Sequence, residues 1–217
     1  LNAIKKSEVQ RLMPRRDPNS HKGQNGRVLI IGGSLDYFGA PILAGLGALG
    51  GGADLVYILV PECNFDVSRS FYPDFIVRKY PGNFVNSRTL DVAAELLPKV
   101  DCVLIGPGVS EDPESLRTIT RIIEKTTCPV VLDAEAIPAI AQLGLQSAPL
   151  PENAVPRITI TPNRAEMDEI TEGRLPDDPE EEAKLVEDFS KKWGVTILLK
   201  KPNDLIVSPG KPLRINQ

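Results

Sequence analysis

Short apolar runs recur along this chain with helix-patterned segments between them, and that alternation restricts the fold more than any other feature. The runs fall at 28–31, 55–60, 102–105, 130–132, 158–160 and 196–199. Each is rich in Val, Ile and Leu and shows little polar alternation, the pattern of a strand covered on both faces. Strands that alternate with helices predict an α/β fold, a mostly parallel sheet joined by right-handed crossovers and flanked by helices. Between the runs the helices carry their own punctuation. Asp112-Pro113 supplies an N-cap and a first-turn proline, with Leu116, Ile119, Ile122 and Ile123 on one face. Asp178-Pro179-Glu180-Glu181 opens another helix in capping-box style, Leu185, Val186, Phe189 and Trp193 form its stripe, and Gly194 ends it. The tail changes rhythm: 205–207 and 213–215, split by Ser208-Pro209-Gly210-Lys211, predict a C-terminal β-hairpin.

The length of 217 residues fits one larger α/β domain. Residues 1–24 read as a lead-in segment with one helical turn at 7–12, residues 25–217 as the domain, and the proline-bearing stretch 145–156 as a loop. With 41% hydrophobic and 25% charged residues a sizeable core can form. The net charge of −4 argues against a general nucleic-acid or membrane-surface binder. No apolar stretch approaches the roughly 18 residues of a membrane span, and residues 1–16 lack the apolar middle of a secretory signal. Cys63, Cys102 and Cys128 stand far apart and only one His is present, which weakens any Cys/His metal site. Thiols buried at strand edges in a reducing cytoplasm are the expectation.

Four runs end in turn-forming or polar residues: Gly32-Gly33-Ser34, Gly106-Pro107-Gly108, Asp133-Ala134-Glu135 and Thr161-Pro162-Asn163. Ligands of open parallel sheets sit outside the carboxyl ends of strands, so these loops predict one wall of a site. Glycines there let backbone N–H groups approach an anion. Asp133 and Glu135 suit either a hydrated Mg²⁺ near a phosphate or a helix N-cap with a first-turn acid. Glu166, three residues after Asn163, shares a helix face with it and could support a hydrated metal. Lys200 could meet phosphate, and His21-Lys22-Gly23 could fold over the same edge. Gly45-Leu46-Gly47-Ala48-Leu49-Gly50 matches the dinucleotide fingerprint literally. That fingerprint must follow a strand and open a helix, whereas here it lies inside a helix begun by Pro41. Close helix–sheet packing explains these glycines better.

Taken in order, Ser20-His21-Lys22-Gly23, Gly26 to Ser34, Gly39-Ala40-Pro41, Gly52-Ala53-Asp54, Gly106-Pro107-Gly108, Val131-Leu132-Asp133-Ala134, Thr161-Pro162 with Glu166, and Leu199-Lys200 resemble the NAD(P)H-hydrate dehydratases of the ribokinase-like fold. The resemblance covers nearly the whole chain. It implies repair of NADH or NADPH hydrated at C6 of the nicotinamide ring (NADHX and NADPHX), with ADP or ATP as co-substrate and Mg²⁺ accompanying the phosphates. It places Ala40, Gly108 and Asn163 on the hydrated dinucleotide, and Lys200, Lys201, Pro202, Asn203 and Asp204 on the adenine nucleotide. A homo-oligomer and a fused epimerase domain stay open as partners.

Three departures accompany the resemblance. The family usually has His where Asn163 stands, and the resulting Asn163-Arg164-Ala165-Glu166 also suits a ribokinase-like vitamin or sugar kinase. Lys201 replaces a usual Gly. The family's Gly-Gly-Thr-Gly-Asp segment, an anion-binding helix start with the catalytic Asp, is expected beyond Gln217, with 1–217 a piece of a longer chain. A catalytically silent nucleotide-binding module is the third reading.

Overall fold

The computed structural model describes residues 2–143 and 155–216. In chain order its elements begin with β1 (Asn2–Ala3), α1 (Lys6–Leu12), β2 (Arg27–Ile31), α2 (Gly39–Gly50), β3 (Leu55–Pro61), α3 (Phe65–Phe71), β4 (Phe75–Tyr80) and α4 (Ser87–Leu96). Next come β5 (Cys102–Ile105), α5 (Pro113–Lys125), β6 (Val130–Leu132), α6 (Ala139–Gln142), β7 (Ile158–Ile160) and α7 (Arg164–Ile170). The last are α8 (Pro179–Trp193), β8 (Thr196–Leu199), β9 (Asp204–Val207) and β10 (Arg214–Asn216). They divide between two units, Pro18–Ala139 and the combination of Leu1–Asp17 with Ile140–Gln217.

In the first unit the strands lie in the order β6-β5-β2-β3-β4 and every pairing is parallel. Leu29, Ile30 and Ile31 of β2, Ile58 and Leu59 of β3, and Val103 and Ile105 of β5 are fully buried. Burial of such a side chain contributes about 1.5–3 kcal/mol, so these short runs carry the core. Strand β4 escapes the sequence pattern because it is an edge strand: Phe75 and Tyr80 are buried while Arg78 and Lys79 reach solvent. Helix α5 starts as expected, with the Asp112 carboxylate accepting from Ser115 N at 2.8 Å, and it buries Ile119, Ile122 and Ile123. In α2 a Cβ on Gly45 would lie 2.8 Å from the Phe75 ring and 3.0 Å from Ile58 Cδ1. Only glycine at position 45 lets that helix lie so close to the sheet, whereas a Cβ at Gly47 or Gly50 would meet nothing within 4 Å, so packing explains one of the three glycines.

The second unit orders its strands β1-β10-β9-β8-β7. Strands β7 and β8 are parallel, and β8–β9 and β9–β10 are antiparallel, so the expected hairpin is the last part of a three-strand meander. Strand β1 adds to β10 in parallel. The Asp178 carboxylate caps α8 by accepting from Glu180 N and Glu181 N, both at 3.0 Å, and Gly194 closes it at φ +64°. Most of the 145–156 stretch, expected as a loop, lies outside the described residues.

The cysteines depart from expectation. Cys63 is exposed, and Cys102 and Cys128 are half-buried, outside any disulfide, rather than core residues. Burial, and then the neighbouring Cys128, push the Cys102 thiol above its ordinary value. No helix among the described residues is long and apolar enough to cross a membrane.

Candidate functional site

In the unit Pro18–Ala139 the parallel register aligns Ile31 of β2 with Ile105 of β5, and Ile105 with Leu132 of β6. The residues that follow, Gly32, Gly106 and Asp133, therefore emerge together at the carboxyl edge. Backbone bonds lock their loops to one another: Gly33 N donates to Pro107 O at 2.9 Å, Gly106 N to Ile31 O at 3.1 Å, and Asp133 N to Ile105 O at 3.0 Å. At Gly106 the backbone takes φ +126°, and a Cβ there would fall 1.7 Å from the Asp133 carbonyl oxygen. A side chain cannot enter where two loop backbones already touch. Gly108 and Ala40, both expected on the substrate, are neighbours, since a Cβ at Gly108 would stand 3.2 Å from that of Ala40.

Above this edge lies a cleft of about 490 Å³, lined among others by Ser34, Asp36, Tyr37, Ser110, Glu111 and Glu135. Asn83 and Phe84 close another side. They follow β4, the strand missed in the sequence, and Pro81-Gly82-Asn83 was the turn signal that could have found them. Two hydroxyls in the wall are notable. Ser34 is 3% exposed, and neither its Oγ nor that of Ser110 has a partner among the described residues. Native structures rarely leave buried hydroxyls unsatisfied; these two belong to cleft-lining residues, while Ser68 Oγ and Tyr80 OH are likewise unpartnered among the described residues away from it. Asp133 begins a single 3₁₀ turn without capping it, and Glu135 faces the cleft. Among the described residues no group of three or more His, Cys, Asp or Glu could form a metal cage.

The expectation that His21-Lys22-Gly23 folds over this edge is corrected. One oxygen of Asp54, the residue just before β3, accepts from Gly23 N and Asn25 N, both at 3.0 Å, and from Asn25 Nδ2 at 2.9 Å. The His21 turn is thus pinned at the amino ends of the strands, opposite the cleft. It ties the two motifs Ser20–Gly23 and Gly52–Asp54 into one structural clamp. Asp54→Ala should destabilise the protein by about 2–4 kcal/mol, because three bonds to a charged acceptor are lost. His21→Ala should leave ligand affinity at the cleft within about twofold. Thermal melts and titrations check both, and a large affinity loss in His21→Ala would contradict this placement.

In the second unit Asn163 caps α7. Its side chain accepts from Glu166 N at 2.9 Å, and Asn163 N donates to Glu166 Oε2 at 2.8 Å, a reciprocal capping box. A parallel bridge joins Asn163 to Lys200, Lys200 N donates to Pro162 O at 2.8 Å, and Lys200 Nζ stands 3.8 Å from Glu166 Oε2. The 200–204 turn is closed by Asp204, whose carboxylate accepts from Lys201 N and Asn216 Nδ2, both at 3.1 Å. The structure therefore gathers Asn163, Glu166, Lys200 and the 200–204 turn at the carboxyl ends of β7 and β8.

Parallel βα layering with ligand-facing loops of this kind is the ribokinase-like architecture. A ribokinase-like superfamily protein of Enterococcus faecalis superposes with a TM-score of 0.81 at 20% identity, over all of this chain and 71% of that one. A family model described as NAD(P)H-hydrate dehydratase matches residues 28–217, and the chain belongs to that family. A bifunctional NAD(P)H-hydrate repair enzyme of Methanothermobacter thermautotrophicus is 36% identical over 94% of this chain and 39% of its own length. An ADP-dependent (S)-NAD(P)H-hydrate dehydratase of Nitrosopumilus maritimus is 34% identical over 91% of this chain and 67% of its own. The ADP/ATP-dependent dehydratase of Bacillus subtilis, co-crystallised with ATP and Mg²⁺, aligns at 25% identity with a TM-score of 0.78, over 99% of this chain and 72% of that one. The chain spans about two fifths of the bifunctional relative and about two thirds of the single-function one.

Proposed function

We propose that this chain supplies the substrate and nucleotide surfaces of an enzyme that dehydrates NADHX or NADPHX at the expense of ADP or ATP. The observation that carries the reading is the pair of partnerless hydroxyls, Ser34 and Ser110, in a cleft whose loops bear the family's motifs. The cleft also presents the carboxylates of Asp36, Glu111 and Glu135. Three acids repel phosphate, so the cleft takes the uncharged hydrated ring and its ribose hydroxyls, which donate to carboxylates and bond to the serines. Ala40 and Gly108, neighbours packed beside Tyr37 of the cleft wall, contact the same group. Asn163 contacts the substrate as well, and Lys200, Lys201, Pro202, Asn203 and Asp204 form the nucleotide surface.

Hydroxide is a poor leaving group. Attack of the C6 hydroxyl oxygen on the terminal phosphorus forms an O–P bond, breaks the bond to the departing nucleotide and releases a proton to a base. Elimination then breaks C6–O, the phosphate leaves with the electron pair, C5 loses a proton, and the dihydronicotinamide is restored. Mg²⁺, when bound, neutralises phosphate charge. Glu166 fits a water-mediated contact to it, because its partly exposed carboxylate lies beside Asn163 and Lys200. We assign it to the cytoplasm, a compartment that holds NADH and NADPH.

Ser34→Ala and Ser110→Ala should each weaken binding of the NADPH hydrate about five- to tenfold, the loss of one hydrogen bond of about 1 kcal/mol. Calorimetric titration measures it. Unchanged affinity in both variants would contradict the use of this cleft.

A further inference from the structure

Helix α8 carries one charged residue on its buried side. Glu182 is 2% exposed, and both of its carboxylate oxygens are engaged by cations from different loops. Arg164 NH1 donates to Oε1 at 2.5 Å, and Lys201 Nζ donates to Oε2. Arg164 follows Asn163 at the start of α7, and Lys201 follows Lys200 at the end of β8. One residue thus joins the loop after β7 to the turn after β8. The outer side of Arg164 is held by Asp177 at 2.7 Å and by the Pro176 carbonyl at 2.9 Å.

A carboxylate with so little water needs its counter-charges. Swinging Lys201 out towards a phosphate would leave Glu182 with Arg164 alone. Lys200 has a different carboxylate beside it: its side chain is 41% exposed and its Nζ stands 3.8 Å from Glu166 Oε2. We infer that Glu182 is a positioning residue for the nucleotide turn 200–204, with Lys201 its anchor. This inference rests on the nucleotide reading above and refines it, because it takes Lys201 out of direct phosphate contact.

A double-mutant cycle tests it. Affinity for ADP and ATP is measured by calorimetry on the wild type, Lys201→Met, Glu182→Gln and the double variant, with NADPH-hydrate affinity as the second readout. Lys201→Met keeps the aliphatic stem, leaves Glu182 paired with Arg164 and lies on a half-exposed turn, so it folds even if Glu182→Gln proves fragile. Each single variant should weaken nucleotide binding about tenfold, the double variant no further, and hydrate affinity should stay within about twofold. If the two losses multiply to about a hundredfold, Lys201 touches phosphate independently and the inference fails. Single variants that bind nucleotide as the wild type does would also overturn it. A wild type that binds no adenine nucleotide would overturn the nucleotide reading itself, and the inference with it.

Discussion

Gly106→Ala is expected to lower the melting temperature by about 5–15 °C and to abolish ligand binding at the cleft. Two costs add. Alanine at φ +126° is strained by about 1–2 kcal/mol, and forcing a methyl into filled space typically costs about 1–3 kcal/mol more. Each kcal/mol moves the midpoint by about 2–4 °C in a protein of this size. The methyl would meet the Asp133 carbonyl oxygen at 1.7 Å, so the loops after β5 and β6 must part. Those loops carry Gly108, Ser110 and Glu135, which is why binding goes with stability. Gly47→Ala is the control: its Cβ would meet nothing within 4 Å on an exposed helix face, and alanine there should stabilise by up to about 1 kcal/mol. Equal melting temperatures for the two variants would contradict the packed-loop account.

The strands that carry the core were legible because each is a short apolar run covered on both faces. The helices that open at Asp112 and Asp178 were legible because their caps are local chemistry. Strand β4 was not, since this edge strand is only partly buried and carries Arg78 and Lys79 just before its last residue, Tyr80. With it went Asn83 and Phe84, one side of the cleft. The His21 turn was assigned to the wrong edge because its anchor, Asp54, lies 31 residues from Gly23. Nothing in local pattern announces such a bond. Glu182 was equally hidden: an acid among Glu180, Glu181 and Glu182 reads as a solvated helix start, and only the convergence of Arg164 and Lys201 shows it to be buried. The rejected dinucleotide fingerprint illustrates the opposite case, in which asking what precedes the glycines was enough.

The largest effect of all is the dependence of turnover on nucleotide. Enzymic accelerations begin at about 10⁶-fold, and the proposed route has no step until the hydroxyl is phosphorylated, so omission of ADP and ATP should return the reaction to its spontaneous background. Ser34→Ala should lower kcat/KM about five- to tenfold through the substrate, while Lys201→Met should act through the nucleotide KM with kcat little changed. The measurement that bears most directly on the account uses the full-length protein as its gene encodes it, mixed with NADPH hydrate, Mg²⁺ and either ADP or ATP. The rise in dihydronicotinamide absorbance is followed against a blank without nucleotide. The account predicts a rise only when nucleotide is present, with one phosphate released per dihydronicotinamide formed. Absence of any rise, or phosphate transferred to a vitamin or sugar with none acting on the hydrate, would contradict it.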